Sequence, residues 1–576
     1  MRYLVLAEKP DQAEKYAAAL GNSKKIKNNI WQVYSDILKA EVWIAAAVGH
    51  IVEMVNPYKN YENWQFDNLP VMPDKFEYQV VKEKSSVFNN IKSAIKECDV
   101  IIIGTDADRE GEAIAYRILN KIPGSIKKVK YRLWVSSLTE KGIRLAFSNL
   151  RPASDTKNLY HEANARSIAD WLVGFNLSPW TTIKIKEDGI LDKKEKALTV
   201  GRVQTPIVTL IVDNDDDINN FEPETFYNII LKDDLGTQFT SEEKFNSKSA
   251  AEQILNYLSD EAVIKEITQE TKKQEAEKLF NLTSLQSYMS KKYRIDSSQT
   301  LALAQSLYQK KYLSYPRSDL KVISSGEFEY LKSFLTQYLE ILELNFEPVN
   351  SSARSRFVND KKVAEYSHYA IIPTEEIPDL NSLGEQERLL YLEVVKRTVL
   401  MFADDYTYQS TIMSISNNGV IFNVKGNVTR NLGWTKFLDR EDKEEVLPDY
   451  QVEQHIPVQS TLKEGKTTPP SRLTEANLLD KVLPKYNLGT SATRASIIKN
   501  ILEREYIKKE KNTGKLYPTE RGRLLVYYLS EFDIAYTNPK TTGIWEEQLS
   551  LIGKGQKAEE VFIDQVKQAI RKQIKN

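Results

Sequence analysis

The sequence predicts a chain of mixed class: an α/β domain first, then α and β domains, one of them set inside another. Three observations carry this. Residues 2–7 and 99–105 are apolar segments that each run straight into acidic residues, as strands of an open α/β sheet do when their carboxyl ends hold a site. Stretches of strand-and-turn pattern, about 222–265 and 405–465, flank a helical stretch at 280–400, which predicts a helical domain inserted into a β domain. The length of 576 residues exceeds what one core serves and calls for roughly three to five domains.

From the N-terminus, residues 2–7 read as a buried strand and Pro10 to Leu20 as the helix after it. Asp99-Val-Ile-Ile-Ile-Gly-Thr105 is a second strand, apolar and β-branched. An acidic loop follows, and the chain reads as helical again from Glu112 to Leu119. This completes an α/β domain of roughly 150 residues. Residues 155–185 form a helix, with Ala165, Ile168, Ala169, Leu172 and Val173 at helical spacing. Residues 186–196 are a charged loop, and Gly201-Arg202-Val203-Gln204-Thr205-Pro206 opens another apolar segment. The strand-patterned stretches are expected to be short strands with turns. Pro469-Pro470 marks a boundary, after which the chain is helical with a strand-like break near Lys515–Pro518. The resulting division is 1–152, 153–215, 216–278, 279–404, 405–468 and 469–576.

Composition excludes several classes. Cys98 is the one cysteine, so neither an internal disulfide framework nor a multi-cysteine zinc site is expected. A reducing, cytoplasmic setting fits. The N-terminal apolar run is too short for a signal peptide, and no stretch approaches the roughly 20 apolar residues of a membrane helix. Lys and Arg number 79 against 80 Asp and Glu. That balance neither favours nor disfavours nucleic acid, because binding needs a local basic face.

Two runs carry the chemistry. Thr105-Asp106-Ala107-Asp108-Arg109-Glu110-Gly111-Glu112 alternates carboxylates, which in an extended loop face one way. Three such groups repel unless a cation joins them, and hard oxygen ligands suit Mg²⁺. Glu8, at the neighbouring strand end, completes the site or moves a proton. A solvated acidic loop with Arg109 paired locally is the plain alternative. The other run is Tyr312-Leu313-Ser314-Tyr315-Pro316-Arg317-Ser318-Asp319. Pro316 biases Tyr315 towards an extended backbone, so Arg317 can point to the same side. A phenol has a pKa near 10, and a guanidinium beside it favours phenolate and can grip a phosphate. A Tyr-Pro turn with a surface arginine is the alternative here. His368, one of four histidines, sits in an apolar run ending in Pro373 and is either functional or a satisfied core histidine. Gly465-Lys466-Thr467 looks like the end of a phosphate loop, but position 460 is Ser and Pro469 would break the helix that must follow.

These residues, with others, resemble the type IA DNA topoisomerases, within them the topoisomerase III branch. Leu6-Ala7-Glu8-Lys9-Pro10 and the acidic run resemble the family's Toprim domain. Arg166-Ser-Ile-Ala-Asp170-Trp-Leu-Val-Gly174 resembles its DNA-gate helix, and Gly201–Pro206 its Gly-Arg-Val-Gln strand entry. Tyr315-Pro-Arg317-Ser-Asp319 resembles the nucleophile run, and His368-Tyr-Ala-Ile-Ile-Pro-Thr374 the histidine run, with Tyr369 where a second histidine is common. Leu488–Ala495 and Pro518–Gly522 resemble the closing domain. The topoisomerase I branch carries zinc-binding cysteine modules, which this sequence lacks.

The resemblance implies a four-domain toroid with an N-terminal Toprim domain. The DNA-gate domain would take 153–215 and 469–576, the hinge domain 216–278 and 405–468, and the nucleophile domain 279–404. Tyr315 would attack a DNA phosphate, with Arg317 and His368 stabilising it. Glu8, Lys9, Asp106, Asp108 and Glu110 would manage Mg²⁺, the proton and the 3′-hydroxyl. Arg166, Asp170, Arg202, Gln204, Thr493 and Arg494 would hold the strand, with Phe175 a stacking candidate. A covalent phosphotyrosine keeps the bond energy, so no ATP is needed. The expected partner is single-stranded or underwound DNA; a helicase is a candidate second partner, and a monomer is expected. A metal nuclease or primase with a Toprim-like core would use the carboxylates but leave Tyr315 idle. A DNA-binding structural protein would need neither.

Overall fold

The computed structural model describes residues 1–58, 64–190, 197–366, 368–438 and 444–574. The N-terminal unit is built on a seven-stranded sheet of β1 (Arg2–Ala7), β2 (Ser23–Lys27), β3 (Ile30–Ser35), β4 (Ala40–Ala46), β7 (Val100–Gly104), β8 (Val129–Arg132) and β9 (Arg151–Pro152), in the order β2-β3-β4-β1-β7-β8-β9. A small hairpin, β5 (Val52–Met54) with β6 (Tyr78–Val80), stands apart. The central strands β4, β1, β7 and β8 are parallel. Their near-continuous Val, Ile, Leu and Ala content is what burial on both faces requires. Helices α1 (Pro10–Leu20), α2 (Ser85–Glu97), α3 (Arg109–Asn120), α4 (Ser125–Lys128) and α5 (Glu140–Ser148) cover the sheet, giving one core on each face.

Next comes α6 (Lys157–Glu187), a helix of 31 residues, and then α7 (Gln204–Asn219). With the C-terminal helices they share the largest core. The Gly201–Pro206 run, expected as a strand entry, instead opens α7. Ile207, Val208, Ile211 and Val212 are β-branched, yet their spacing is helical and all four are buried in that core. Of the charged loop expected at 186–196, the first two residues belong to α6, which runs to Glu187, and 191–196 lie outside the described residues.

The β-rich part is a closed six-stranded barrel. It consists of β10 (Thr225–Asp233), β11 (Gln238–Ser241), β12 (Glu261–Gln274), β13 (Tyr406–Asn417), β14 (Val420–Asn431) and β15 (His455–Lys466), ordered β10-β11-β14-β13-β12-β15. The strands expected to be short reach 12 to 14 residues in β12 to β15, because closure pairs both edges of each long strand. The helical insertion leaves from β12 and returns into β13, and its two ends are ladder partners, Gln274 opposite Tyr406. It has its own core. A last hairpin, β16 (Ile507–Lys509) with β17 (Leu516–Pro518), interrupts the C-terminal helices. Among the described residues no helix is long and apolar enough to cross a membrane.

The insertion folds back onto the sheet. Tyr308 and Tyr315 pack into the same core as Val5, Ala7, Tyr16 and Leu133. The Tyr315 backbone N–H donates to Ser136 O at 3.0 Å. The seam between sheet and insertion is therefore where the two motif runs meet.

Candidate active site

β1 and β7 end side by side, Ala7 opposite Gly104, so Glu8 and Asp106 leave the sheet as neighbours. Both are buried, 6% and 3% exposed. The Asp106 N–H donates to Glu8 Oε2 at 3.3 Å. Gln12, one turn further on in α1, braces both: its Nε2 donates to Asp106 Oδ1 and its Oε1 accepts from the Glu8 N–H, each at 2.9 Å. Lys9 Nζ stands 3.6 Å from Glu8 and 3.5 Å from Asp106. Burial first, then the charge of Asp106, push the Glu8 carboxyl up to about 8.

The acidic run is not an extended loop. Asp108 Oδ1 accepts from the Gly111 N–H at 2.8 Å, and α3 starts at Arg109, three residues before the expected Glu112. This is an N-cap, which a carboxylate performs well. Gly111 is needed there, since a Cβ would stand 2.1 Å from Asp106 O. The carboxylates consequently part company. Asp106 faces Glu8, Asp108 faces the insertion, and Glu110 rides on α3, 3.5 Å from Arg166. Among the described residues no three His, Cys, Asp or Glu side chains are gathered as a ready metal cage. The expected single carboxylate face is replaced by a Glu8–Asp106 pair with Asp108 in electrostatic reach. That pair fits a hard divalent cation: two buried oxygen donors repel strongly enough that one keeps its proton near neutral pH.

Tyr315 is 1% exposed. Its O–H donates to Asp108 Oδ2 at 2.9 Å, and Arg317 Nη1 lies 3.7 Å from the same oxygen. Burial, then Asp108 and Asp106, push the phenol well above its usual range, and Arg317 opposes without prevailing. The expectation that the guanidinium would favour phenolate is corrected for this closed arrangement. Arg317 serves Asp108 instead: although burial acts the other way, Arg317, the Gly111 N–H and the phenol hold that carboxyl below its usual value. The His368 ring lies 4.5 Å from the Tyr315 ring and stacks on Trp134 at 5.8 Å. His368 Nε2 bonds Ala107 O, so that nitrogen carries the proton, and Nδ1 faces Ser136 Oγ at 3.4 Å. Burial lowers the imidazole pKa and keeps the ring neutral.

Two residues that hold this turn escaped the sequence reading. One is Gln12. The other is Arg132, fully buried at the end of β8. It pairs with Glu112 and donates to the carbonyls of Ile103 at 3.2 Å, Thr105 at 2.9 Å and Asp106 at 2.6 Å. The alternation of Val129-Lys-Tyr-Arg-Leu-Trp-Val135 was the signal for a strand there, but no local spacing announces partners 20 to 29 residues away.

Beside Tyr315 opens a cleft of about 390 Å³, reached by Arg109, Arg166, Arg317, His368 and Thr493. Arg109 Nη2 and Arg317 Nε are buried donors without a hydrogen-bond partner, and Arg166 Nη1 has only the 3.5 Å ion pair to Glu110, which points to an anionic ligand. The other expected strand-holding residues stand behind it. Asp170 joins Arg166 at 3.8 Å to Arg202 at 2.8 Å, and Arg202 reaches Glu546 at 2.7 Å. Gln204 donates to Thr199 O at 2.9 Å, and Arg494 to Leu488 O at 3.0 Å. Phe175 packs against Trp171 and Tyr58, at 5.1 and 6.2 Å.

Residues 154–564 match the family model for DNA topoisomerase, and residues 3–138 that for the Toprim domain. The chain belongs to the type IA DNA topoisomerases. It is 32% identical to the DNA topoisomerase 3 of Bacillus subtilis strain 168, over 99% of this chain and 81% of that protein. It is also 32% identical to that of Staphylococcus aureus strain MRSA252, over 98% and 81%. The full-length topoisomerase I from Thermotoga maritima shares its fold, with a TM-score of 0.75 at 23% identity, over 99% of this chain and 90% of that one. Family membership makes this topoisomerase an isomerase that acts on DNA, with an N-terminal Toprim domain of the kind that binds divalent metal.

Proposed function

We propose that this topoisomerase works as a topoisomerase III: it cuts one DNA strand through Tyr315, passes another strand and reseals, without ATP. The observation that carries the reading is the Tyr315 hydroxyl, 2.9 Å from Asp108 beside a cleft whose arginines have unmet donors. In the cutting step Tyr315 Oη forms a bond to a backbone phosphorus as the bond from phosphorus to the 3′-oxygen breaks. The phenol proton leaves along the bond to Asp108, within the reach a proton acceptor needs. Glu8, whose carboxyl holds a proton near neutral pH, supplies one to the departing 3′-oxygen. Arg317 turns from Asp108 to a phosphate oxygen, and neutral His368 holds the Ala107 turn in place. Asp106, with Asp108 in reach, would hold Mg²⁺, which supplies positive charge against the phosphate; Glu8 would join them only after giving up its proton. Arg166 and Thr493 grip the strand in the cleft, while Asp170, Arg202, Gln204, Arg494 and Phe175 fix the helices behind it.

The relatives named DNA topoisomerase 3 support topoisomerase III-like activity; the proposed outcome is relaxation of negative supercoils and decatenation, by a monomer in the cytoplasm, alone or beside a helicase. The test is to stop the reaction with denaturant and examine the ends. Protein bound to the 5′ end of cut DNA is expected. Cut DNA with free ends would identify a metal nuclease instead, and uncut but bound DNA a structural protein.

A further inference from the structure

On the far side of the Trp134–His368 stack lies a second cavity, about 500 Å³, that nothing above employs. Trp134 lines both cavities. His368 straddles the divide: its Nε2 faces Ala107, which lines the cleft, and its Nδ1 faces Ser136, which lines the second cavity. The two walls of this cavity belong to different bodies. The N-terminal wall carries Lys141 and Arg151, both exposed, with the Arg151 guanidinium 5.3 Å from the Trp134 ring. The insertion wall carries Phe334 and Tyr369, both half-buried. Of its carboxylates, Glu327 is committed to capping the helix Ser325–Ser333. Glu375 remains as an acceptor suited to a base amino group. Cations on one side and aromatic faces on the other are the chemistry that holds a single strand, phosphates to one wall and bases to the other.

We propose that this cavity holds the nucleotides 3′ of the scissile phosphate. The inference rests on the Tyr315 chemistry proposed above. Once phosphorus is bonded to Tyr315, the 3′ arm is covalently part of the insertion. Stacking on Phe334 and Tyr369 keeps that arm with the body it moves with. Lys141 and Arg151 sit on the body left behind and release it through contacts that salt already weakens.

Two measurements test this. The covalent adduct is trapped on a strand carrying 5-iodouracil roughly two to four nucleotides 3′ of the break, a span one such groove can hold, and irradiated. Crosslinked peptides should contain Phe334 or Tyr369; crosslinks within Lys157–Glu187 or Ser491–Glu503 would overturn the assignment. Independently, the Lys141→Ala/Arg151→Ala pair should weaken binding of strands with a long 3′ arm by about threefold to tenfold. Its salt slope should fall by about 1.4 for two lost phosphate contacts, while strands ending at the break bind as before. Equal loss on both strands, or no loss, overturns the proposal. Failure to trap any adduct counts against the Tyr315 chemistry instead, and the binding comparison still decides the cavity.

Discussion

At the scale of single residues, the site depends on one hydroxyl and one guanidinium. Tyr315→Phe removes the oxygen and leaves the ring on His368 and in its core. Strand cleavage and relaxation should vanish while single-strand binding, read by fluorescence anisotropy, stays within about fivefold, since one hydrogen bond is worth only about 1 kcal/mol net. Relaxation by this variant would sink the assignment of the nucleophile. Arg132→Met tests the other dependency. It strands Glu112 in the interior and frees the carbonyls that Arg132 binds, so stability should fall by roughly 3–5 kcal/mol. A thermal midpoint unchanged from wild type would contradict this. The contrast explains what was legible. Tyr315 and Arg317 are two residues apart and declare each other in sequence. Arg132 meets Ile103, Thr105 and Glu112 only because parallel strands bring them together, and parallel pairing leaves no local trace.

At the scale of elements, the Arg202–Glu546 pair fastens the approach to α7 to the helix Pro539–Gly553, and Asp170 adds α6. Although burial acts the other way, Arg202, Arg109 and Arg166 lower the Glu546 carboxyl to about 2 from an ordinary 4.5. A depressed carboxylate stabilises the fold above its unfolded pKa and loses that contribution as pH falls towards the folded one. Glu546→Gln should therefore lower the thermal midpoint at pH 7, and the gap to wild type should narrow as pH drops below about 4.5. A gap independent of pH would mean the carboxylate's charge is not what matters. Element limits were less legible than element types. The strand Arg2–Ala7 and helix Pro10–Leu20 coincide with their reading, because apolar pattern and Pro10 mark them locally. The start of α3 did not, because an acidic cap and a solvated acidic loop are spelled alike until Gly111 folds against Asp106.

At the scale of the whole molecule, the insertion closes on the sheet through contacts at the Tyr315 turn and along α1, where Lys15 Nζ donates to Gln309 O. If strands pass between these bodies, a link between them should stop passage but not cutting. A Lys15→Cys/Gln309→Cys pair joined by a short cleavable bismaleimide should still yield covalent adduct yet relax no supercoils, with activity restored on release. Cys98, buried, does not compete for the reagent. Full relaxation by the linked protein would mean the seam does not open. The nesting of helices within a β unit was readable from the order of patterns. Closure of the barrel was not, since it depends on β10 meeting β15 across more than two hundred residues.

The bond from Tyr315 to Asp108 has a consequence for the order of events. It crosses the seam, and the hydrogen it needs is the one Tyr315 would give up as the proposed nucleophile. An esterified Tyr315 could not donate, so cutting the strand through it would undo a tie between the two bodies, and resealing would restore it. On the proposed Tyr315 chemistry the reaction would act as its own interlock: parting would be discouraged while DNA is whole and eased only while the broken end is held. Tyr315→Phe, lacking the tie from the outset, should show more frequent parting by single-molecule energy transfer across the seam, even with no DNA present. Parting no more frequent than in wild type would leave the seam to its other contacts and remove the interlock.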